Sequence, residues 1–573
     1  MSDRTNHSGT GKKGTGTLRT LTIVASGKSA YSIVRTSDRR EQHLDTVLCE
    51  RIRDTITSLT GVTLPIVDSE TPDPENCHII VGPTDRPVDP TLMRGVLPGG
   101  YTVKTCKNSI VLGAWADLQY QSAAERLIEL FRTYADGGDL ALPAPDETHY
   151  LPCRPSASPA EKRNAYRKFV FTYYFGPRAD ECTEETVRLI RDCGMTRMQI
   201  PDELIADSGD EKAKVAAVRK AIETCGRAGM DAALFIEHSL GRINYPPRSL
   251  EDIPQEEVDR LVKKVVDDYG DLKDLAEWYI RDEPHAEEIP IFEKIVDAFH
   301  RFDPDRPVMI NFLPGFGIPY NEYIEGFAKA MPLDALSFDR YRFFGDPPEL
   351  GSRTYFDSMF TFREIAHRYG LPATMIVLLS AHYTLSDLAE EQLRWEVNTC
   401  LAYGYKCVSF FTMRNLGNCG GDLGTRGGGM LNMDNKPLRQ YEYVKNIAKD
   451  AVPVGNQLAR QEFQTVWHID TPEYLGAPAY IPFGPLGRIG GKNGIIGFFD
   501  DGSFYLVNYI YDTGAPENVF TLSEYDGDTL EFFDPAEERW RDAESSAKIT
   551  RSGRCYTVSL PSGDGVLLRT VRR

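Results

Sequence analysis

Two neighbouring carboxylates, Asp282 and Glu283, follow a short apolar run of sequence and are followed at once by Pro284. A pair of carboxyl groups can divide acid–base work, since one protonates a leaving oxygen while the other attacks carbon or activates water. This division of roles is the chemistry that cleavage of a glycosidic bond requires. We therefore predict Glu283 as a catalytic acid, with Asp282 beside it.

A structural role is the competing interpretation of the same three residues. Carboxylates favour helix N-termini and proline favours the first helical turn, so the segment from Asp282 to Pro284 would also suit the start of the next helix. Adjacent residues of a strand point to opposite faces. Only one of the two carboxylates is therefore expected to face a site, unless the strand has already ended.

Other side chains with suitable chemistry also follow apolar runs. Asp339 and Glu237 are the candidates for the second catalytic carboxylate, and the sequence does not choose between them. We predict that the remaining candidates bind sugar hydroxyls and rings: Tyr174, Glu203, His238, Asn311, Tyr341, His382, Arg414 and Asn415. No His-x-His or comparable spacing points to a metal, and no cofactor is expected.

The elements that would position these residues are eight short apolar runs, which alternate with longer helical segments between about residues 165 and 450. This alternation predicts a parallel α/β sheet, and eight units match a (β/α)8 TIM barrel of about 250 residues. The active site of such a barrel lies at the carboxyl ends of the strands. The predicted strands are Phe169 to Phe175, Met195 to Ile200, Ala232 to Ile236, Ala276 to Ile280, Val308 to Phe312, Ala335 to Phe338, Ala373 to Leu378 and Cys407 to Phe411.

Further units flank this catalytic barrel, which we assign to residues 160–455. Residues 18–150 combine strand-like and helix-like runs and predict an α+β accessory domain, joined to the barrel by the proline-rich stretch from Leu142 to Pro159. Residues 460–573 contain short alternating runs, which predict an antiparallel β domain of the sandwich kind. Residues 1–17, rich in Gly, Ser, Thr and Lys, predict a disordered tail.

Composition restricts the partners of the chain. A formal charge of −19 over 573 residues argues against nucleic acid, which is bound by clustered Lys and Arg. No run approaches the roughly 20 apolar residues of a membrane-spanning helix, and the N-terminus lacks the apolar segment of a secretory signal. Eleven cysteines without a CxxC pair fit reduced thiols. We expect a soluble, cytoplasmic protein whose partner is a carbohydrate.

One glycine-rich segment, Gly420 to Gly429, contains Arg426 and suggests a phosphate-binding loop at first sight. It lacks the Lys-Ser/Thr that follows such a loop and does not open a helix after a strand. We predict instead a flexible loop that closes over the active site.

The residues around the carboxylate pair resemble those of barrel glycosidases of clan A, in particular family 42. The N-terminal unit is similar to the accessory domain of family 20 hexosaminidases and family 67 α-glucuronidases. This resemblance implies an O-glycosyl hydrolase of carbohydrate metabolism, in a class where homodimers and trimers are common. The resembling stretches are Trp278 to Pro284, Phe302 to Val308 with Asn311, Leu336 to Tyr341, Leu393 to Glu396 and Leu401 to Lys406.

The chain departs from the clan A pattern in two places. Clan A enzymes have Asn-Glu after the fourth strand and a nucleophilic Glu after the seventh, whereas this chain has Asp282-Glu283 and the segment from Leu379 to Tyr383. If Asp339 or Glu237 replaces the nucleophile, its distance from Glu283 sets retention or inversion.

Three alternatives remain open. An Asp-Glu pair is similar to the pair of family 20 and family 123 hexosaminidases, where the acetamido group of the substrate attacks and the Asp orients it. The same carboxylates would also serve a lyase or isomerase, and a sugar-binding protein would not need an ionisable Glu283. A pocket walled by the N-terminal unit and long loops favours exo action on short oligosaccharides.

Overall fold

The structure, a computed structural model, describes residues 19–35, 42–69, 77–82, 92, 95–156, 164–202, 210–240, 253–315, 318–345, 349–415, 427–471 and 480–572. Residues 1–17, predicted to form a disordered tail, lie outside the described residues. Most of the predicted loop from Gly420 to Gly429 lies outside them as well.

A mixed sheet and two packed helices form the N-terminal unit. The sheet has the order β3-β2-β4-β6-β5-β9, and β1, β8 and β7 form a second, smaller sheet. Helices α1 (Gln42–Thr60) and α2 (Asp117–Tyr134) pack on one face of the larger sheet. The strands are β1 (Thr20–Val24), β2 (Ser32–Arg35), β3 (Ile66–Asp68), β4 (His78–Val81), β5 (Gly100–Cys106), β6 (Ser109–Ala114), β7 (Ala135–Asp136), β8 (Asp139–Pro143) and β9 (Asp146–Tyr150).

The strand β9 lies inside the stretch that the sequence predicts to be a linker, and that part of the prediction is wrong. Residues Asp146–Tyr150 pair with Gly100–Lys104 in an antiparallel ladder at the edge of the sheet. An edge strand pairs on one side only and tolerates a polar sequence such as Asp-Glu-Thr-His-Tyr. Its composition therefore resembles that of a loop.

Eight parallel strands form the predicted TIM barrel. They pair in the order β10-β18-β16-β15-β14-β13-β12-β11. Between the two end strands, the Thr196 N–H donates to the Phe171 carbonyl at 2.9 Å, and the Phe171 N–H donates to Thr196 Oγ1 at 2.8 Å. These bonds join the ends of the sheet. The strands are β10 (Val170–Tyr174), β11 (Arg197–Pro201), β12 (Asp231–Phe235), β13 (Leu275–Asp282), β14 (Val308–Phe312), β15 (Leu336–Asp339), β16 (Ala373–Leu378) and β18 (Cys407–Phe411).

Amphipathic helices cover the outside of the barrel. In the helix Gln255–Tyr269, for example, Val258, Val262 and Val265 recur at helical spacing and are buried. The short strands β17 (Ser380–Ala381) and β19 (Gly427–Gly428) pair beyond the end of β16. The helices are α3 (Glu184–Asp192), α4 (Glu211–Arg227), α5 (Glu237–Leu240), α6 (Gln255–Tyr269), α7 (Ile289–Phe302), α8 (Ile318–Ala330), α9 (Glu349–Tyr369), α10 (Glu390–Ala402) and α11 (Arg439–Leu458), with 3-10 turns at Asn164–Tyr166, Ala179–Glu181 and Ala286–Glu288.

Two antiparallel sheets follow the barrel. One has the order β20-β22-β23-β29-β25-β26 and the other β21-β24-β28-β27, with an apolar core between them. A 3-10 turn lies at Ala543–Ser545. The strands are β20 (Phe463–Ile469), β21 (Leu486–Gly490), β22 (Gly494–Phe499), β23 (Ser503–Asn508), β24 (Asn518–Tyr525), β25 (Thr529–Asp534), β26 (Arg539–Asp542), β27 (Ile549–Ser552), β28 (Cys555–Leu560) and β29 (Gly565–Val571).

A buried arginine joins the barrel to these sheets. The Arg342 guanidinium lies 5.0 Å from the ring centroid of Trp395 and 5.1 Å from that of Tyr511. It also donates to the Tyr509 hydroxyl at 3.1 Å. Cation–π contacts of this kind are strongest where water is excluded. Because Arg342 follows β15 by three residues, the contact holds the loop that leaves this strand.

The strand β13 runs further than the sequence predicts. It ends at Asp282 rather than at Ile280, and its register with β14 is irregular between Tyr279 and Arg281. An irregularity of this kind resets the alternation of side chains. Tyr279 belongs to the aromatic cluster inside the barrel while Trp278 and Ile280 pack outside it. After the irregularity, Asp282 lies on the same side as Tyr279, whose hydroxyl donates to it.

Charged residues fill the amino end of the barrel interior. Arg197, 3% exposed, donates to Glu277 Oε2 at 2.8 Å and to Asp231 Oδ1 at 2.6 Å. The Tyr166 hydroxyl donates to Glu277 at 2.5 Å. Burial raises the pKa of Glu277 and the Arg197 charge opposes this. The ion pair therefore offsets part of the cost of burying a carboxyl group in the core.

We predict that Arg197→Met lowers the free energy of unfolding by about 3–5 kcal/mol, because it leaves Glu277 buried without its cation. The double variant Arg197→Met/Glu277→Gln should recover part of this loss. Arg219→Met is the control, since its partner Asp271 is 66% exposed and such pairs contribute about 0–1 kcal/mol. Equal urea midpoints for the Arg197 and Arg219 variants would contradict the prediction.

Candidate active site

Three carboxyl groups meet at the carboxyl ends of the barrel strands. Asp282 is the last residue of β13, and Asp339 is the last residue of β15. Glu283 follows with a backbone φ of 46°, in the left-handed region that non-glycine residues seldom adopt. This turn takes Glu283 out of the alternation of the strand, and its carboxyl group hydrogen-bonds to that of Asp339. Both members of the Asp-Glu pair thus reach the site.

The hydrogen bond between Glu283 and Asp339 requires a proton. Burial and the neighbouring Asp282 charge raise the pKa of Glu283 to about 7, although the hydrogen bond from Asp339 opposes the rise. Burial, followed by the Glu283 and Asp282 charges, raises the pKa of Asp339 well above its ordinary value. Carboxyl groups this close do not both ionise readily. Near neutral pH the pair therefore holds a proton that a leaving group can accept.

Asn311 holds two of the three carboxyl groups in place. This buried residue of β14 donates from Nδ2 to Asp282 Oδ1 at 3.0 Å and to Asp339 Oδ1 at 2.9 Å. The Ser337 hydroxyl donates to Asn311 Oδ1 at 2.9 Å, which fixes the orientation of the amide. The Asn311 carbonyl also accepts the Glu283 N–H at 2.8 Å. Asn311, predicted as a sugar ligand, is here the positioning residue of the cluster.

The helix-cap interpretation of the Asp-Glu pair fails on the geometry. The turn Ala286–Glu288 begins after His285, whose N–H donates to Glu288 Oε2 at 2.6 Å. Glu288, rather than Asp282 or Glu283, therefore supplies the capping carboxylate. The pair remains available for chemistry.

Glu237, the other candidate for the second carboxylate, is held in an ion pair. Arg281 donates to Glu237 Oε1 at 2.9 Å and to Glu288 Oε1 at 3.2 Å, and all of these side chains are buried. Glu237 starts the short helix α5. Of the predicted sugar ligands nearby, Glu203 lies outside the described residues, and only the backbone of His238 is described.

An aromatic layer lies beneath the carboxylates. The Tyr279 hydroxyl donates to Asp282 Oδ1 at 3.2 Å, and Tyr174 also hydrogen-bonds to Asp282. Phe235 packs edge-on against Tyr279 with ring centroids 4.8 Å apart. Tyr174 was predicted from its place at a strand end. Tyr279 was missed because simple alternation places residues three apart on opposite faces, and the irregularity in β13 changes this.

Aromatic side chains also line the mouth of the barrel. The predicted ligands Tyr341 and His382 meet edge to face with ring centroids 5.5 Å apart, and the Asp339 charge adds to burial in raising the pKa of Tyr341. Phe175 and Tyr383 were missed as candidates, yet they are 42% and 59% exposed and have left-handed φ values of 48° and 47°. Their positions directly after strand ends were the available signal.

Arg414 and Asn415, also predicted to bind sugar, have structural partners. Arg414 donates to Glu181 Oε2 at 2.8 Å and to Asn435 Oδ1 at 2.6 Å. Asn415 donates from Nδ2 to the Gly428 carbonyl at 2.9 Å. These bonds hold the segment after β18 against its neighbours. Among the described residues, the side-chain hydrogen bonds of Arg414 go to Glu181 and Asn435 and not to Asp282, Glu283 or Asp339.

The fold and the site define a (β/α)8-barrel protein with a cluster of carboxyl groups at the carboxyl ends of its strands. Comparison with models of known families finds no match, and comparison with curated proteins finds none either. The predicted relation to family 42 therefore remains a prediction.

Several solved structures with a similar fold carry the names of glycosidases. A structure described as a glycoside hydrolase has 12% identity and a TM-score of 0.46, over 70% of this chain and 92% of its own. The β-galactosidase from the Antarctic haloarchaeon Halorubrum lacusprofundi has 16% identity and a TM-score of 0.37, over 53% and 60%. The cold-adapted β-galactosidase from Rahnella sp. R3 has 11% and 0.40, over 55% and 59%. At these values the reaction must be argued from the residues of this chain.

No helix in the described ranges is both long enough and apolar enough to cross a membrane. Within the same ranges, no group of three or more His, Cys, Asp and Glu side chains is arranged to hold a metal ion.

Proposed function

We propose that the protein is a glycoside hydrolase. The observation that carries the proposal is the carboxyl cluster at the mouth of the barrel, where Glu283 has a pKa of about 7 and hydrogen-bonds to Asp339. A catalytic acid works best when its pKa lies near the working pH. A carboxyl group that keeps a substantial protonated fraction at neutral pH and is partly open to solvent suits protonation of a glycosidic oxygen.

Glu283 is the general acid in this proposal. It is the least buried of the three carboxyl groups that meet at the site, so a leaving oxygen has access to it. Once Glu283 has given up its proton, the same carboxylate can activate the water that completes hydrolysis.

Asp339 is the second carboxylate. It is adjacent to Glu283, whereas Glu237 is neutralised by Arg281. Asn311 fixes Asp339 at Oδ1, and Asp339 attacks the anomeric carbon as the carboxylate while the one proton of the pair is on Glu283 and passes to the leaving oxygen. Asp282 accepts hydrogen bonds from Asn311, Tyr174 and Tyr279, and its charge sustains the raised pKa of Glu283. The role of Asp282 is therefore to keep the pKa of Glu283 raised.

Aromatic rings at the mouth supply the sugar-binding surface. Phe175 and Tyr383 expose apolar faces that suit stacking on a pyranose or furanose ring. The described contacts of the N-terminal unit with the barrel include the bond from the Arg154 N–H to the Arg368 carbonyl, at the end of α9 that precedes β16. This bond lies toward the amino ends of the barrel strands, away from the carboxylates. Product analysis tests exo action on short oligosaccharides.

Substrate-assisted hydrolysis of N-acetylhexosaminides is the second candidate. The adjacency of Asp282 and Glu283 at the site favours it, because Asp282 would orient the acetamido group. The hydrogen bonds that Asp282 already accepts weigh against this role. Efficient cleavage of a substrate without an N-acetyl group would eliminate it.

The proposal predicts that wild-type protein cleaves at least one member of a panel of aryl galactosides, glucosides, arabinosides, fucosides and N-acetylhexosaminides. Glu283→Gln should lower kcat/KM by about a hundredfold or more, because it removes the acid proton. Glu287→Gln, an exposed neighbour, is the matched control and should retain full activity. The wild-type kcat/KM should fall as the pH rises through about 7, where Glu283 loses its proton.

Equal activity of the Glu283 and Glu287 variants would refute the assignment of the acid. Release of unsaturated or isomerised products in place of a hydrolysed sugar would favour lyase or isomerase chemistry by the same carboxylates. Binding of sugars without any product, across substrates with varied linkage, would favour a sugar-binding protein.

The pairing of Glu283 with Asp339 also predicts the stereochemical outcome. Retaining enzymes have carboxyl groups about 5–5.5 Å apart, and inverting enzymes about 6.5–9.5 Å apart. The separation of a hydrogen-bonded pair is nearer to the range of retaining enzymes than to that of inverting enzymes. The first product should therefore keep the anomeric configuration of the substrate. Proton NMR of the released sugar, recorded before mutarotation, measures this. An inverted first product would show that Asp339 is not the nucleophile.

A further inference from the structure

A large cavity lies at the end of the barrel opposite the carboxylates. Its volume is about 830 Å³. Lys168, Pro372 and Lys406 line it, and they lie just before β10, β16 and β18. Phe463, the first residue of β20, closes another side. The cavity therefore sits where the amino ends of the barrel strands meet the C-terminal sheets.

The lining of this cavity is strongly basic in a chain whose net charge is −19. Five lysine and arginine side chains and one carboxylate, Glu462, contribute to it. The cationic residues are Arg167, Lys168, Arg363, Lys406 and Arg460. Among the ion pairs of the described residues, none involves these five side chains. Such an excess of cations in a concave site is an electrostatic trap for anions.

Arg363 gives the cavity a buried donor without a partner. Its side chain is 7% exposed, its Nε has no hydrogen-bond partner, and its guanidinium lies 4.3 Å from the Phe463 ring centroid. Burial lowers the pKa of Arg363 to about 10. A buried cation without an anion is unfavourable, and arginine presents a fork that matches phosphate and carboxylate oxygens. A bound anion would supply the missing partner.

Lys406 shows how the site is held. Its ammonium donates to the Ala459 and Gln461 carbonyls, each at 2.8 Å, beyond the C-terminal end of α11. These bonds fix the ammonium group at one wall, and the nearby carboxylates of Glu462 and Asp500 act on its charge without forming a direct ion pair with it. Arg167, Lys168 and Arg460 are exposed at the rim and are free to close on a ligand.

We propose that this cavity, named here the basal pocket, binds a small polyanion that carries two or more phosphate or carboxylate groups. Its volume falls within the range of about 300–1,000 Å³ that is usual for small-molecule sites. The basal pocket is separate from the carboxylate cluster and does not depend on the reaction proposed above. Its ligand would contact the barrel and the first strand of the C-terminal sheets together.

Calorimetric titration of the full chain with sodium triphosphate and with citrate, at constant ionic strength, tests the proposal. Wild-type protein should bind at least one of them saturably, with an affinity that falls as KCl rises. Lys168→Gln/Arg460→Gln changes two exposed rim residues, so its fold should persist, and it should weaken binding at least tenfold. Lys212→Gln/Lys220→Gln removes the same charge from exposed positions on α4 and should leave affinity unchanged.

Tight binding of triphosphate alone assigns phosphate as the ligand class, and tight binding of citrate alone assigns carboxylate. Glu283→Gln should bind the anion as the wild type does, so failure of the catalytic proposal would not affect this result. The proposal is overturned if neither anion binds saturably. It is equally overturned if the control pair weakens binding as much as the rim pair.

Discussion

The site depends on one interaction, the proton shared between the Glu283 and Asp339 carboxyl groups. This contact exists because β13 and β15 flank β14 and end at the same edge of the barrel. Asn311 of β14 donates hydrogen bonds to Asp282 on one side and to Asp339 on the other. Burial and the Asp282 charge then raise the pKa of Glu283 to about 7. The barrel geometry thus determines both the hydrogen bonds of the cluster and the pKa of Glu283.

The two ends of the barrel have opposite electrostatic character. Carboxyl groups gather at the carboxyl ends of the strands, whereas arginines and lysines surround the basal pocket at the amino ends. The interior between them contains the aromatic layer near the mouth and the buried Arg197–Glu277 pair near the base. Both ends contact the C-terminal region: Arg342 packs on Tyr511 near the mouth, and Arg363 packs on Phe463 at the base.

The fold was largely predictable, because short apolar runs followed by amphipathic helices leave few alternatives to a parallel barrel. Strand ends in turn pointed to Glu283, Asp282 and Asp339. The exact end of β13 was not predictable, since a register irregularity depends on the neighbouring strands rather than on local composition. For the same reason the sequence suggested only one inward carboxylate, and the left-handed turn at Glu283 brings both to the site.

The ion-pair partners of charged side chains were the second feature that the sequence did not predict. Glu237 and Arg414 stand at strand ends like the true members of the cluster, but Arg281 and Glu181 occupy them. These ion pairs join residues far apart in sequence, which composition and spacing do not reveal. The sequence did not predict the basal pocket for a similar reason, because its cationic residues come from four separate segments of an acidic chain.

The most direct test of the account is titration of the glutamate carboxyl carbons by 13C NMR, with Glu283 assigned by its loss in Glu283→Gln. Two glutamates, Glu283 and Glu364, should titrate near pH 7, and Asp282→Asn should move only the Glu283 titration to lower pH by removing the neighbouring charge. A Glu283 resonance that titrates near the ordinary glutamate value of about 4.3 would contradict the shared proton on which the account depends.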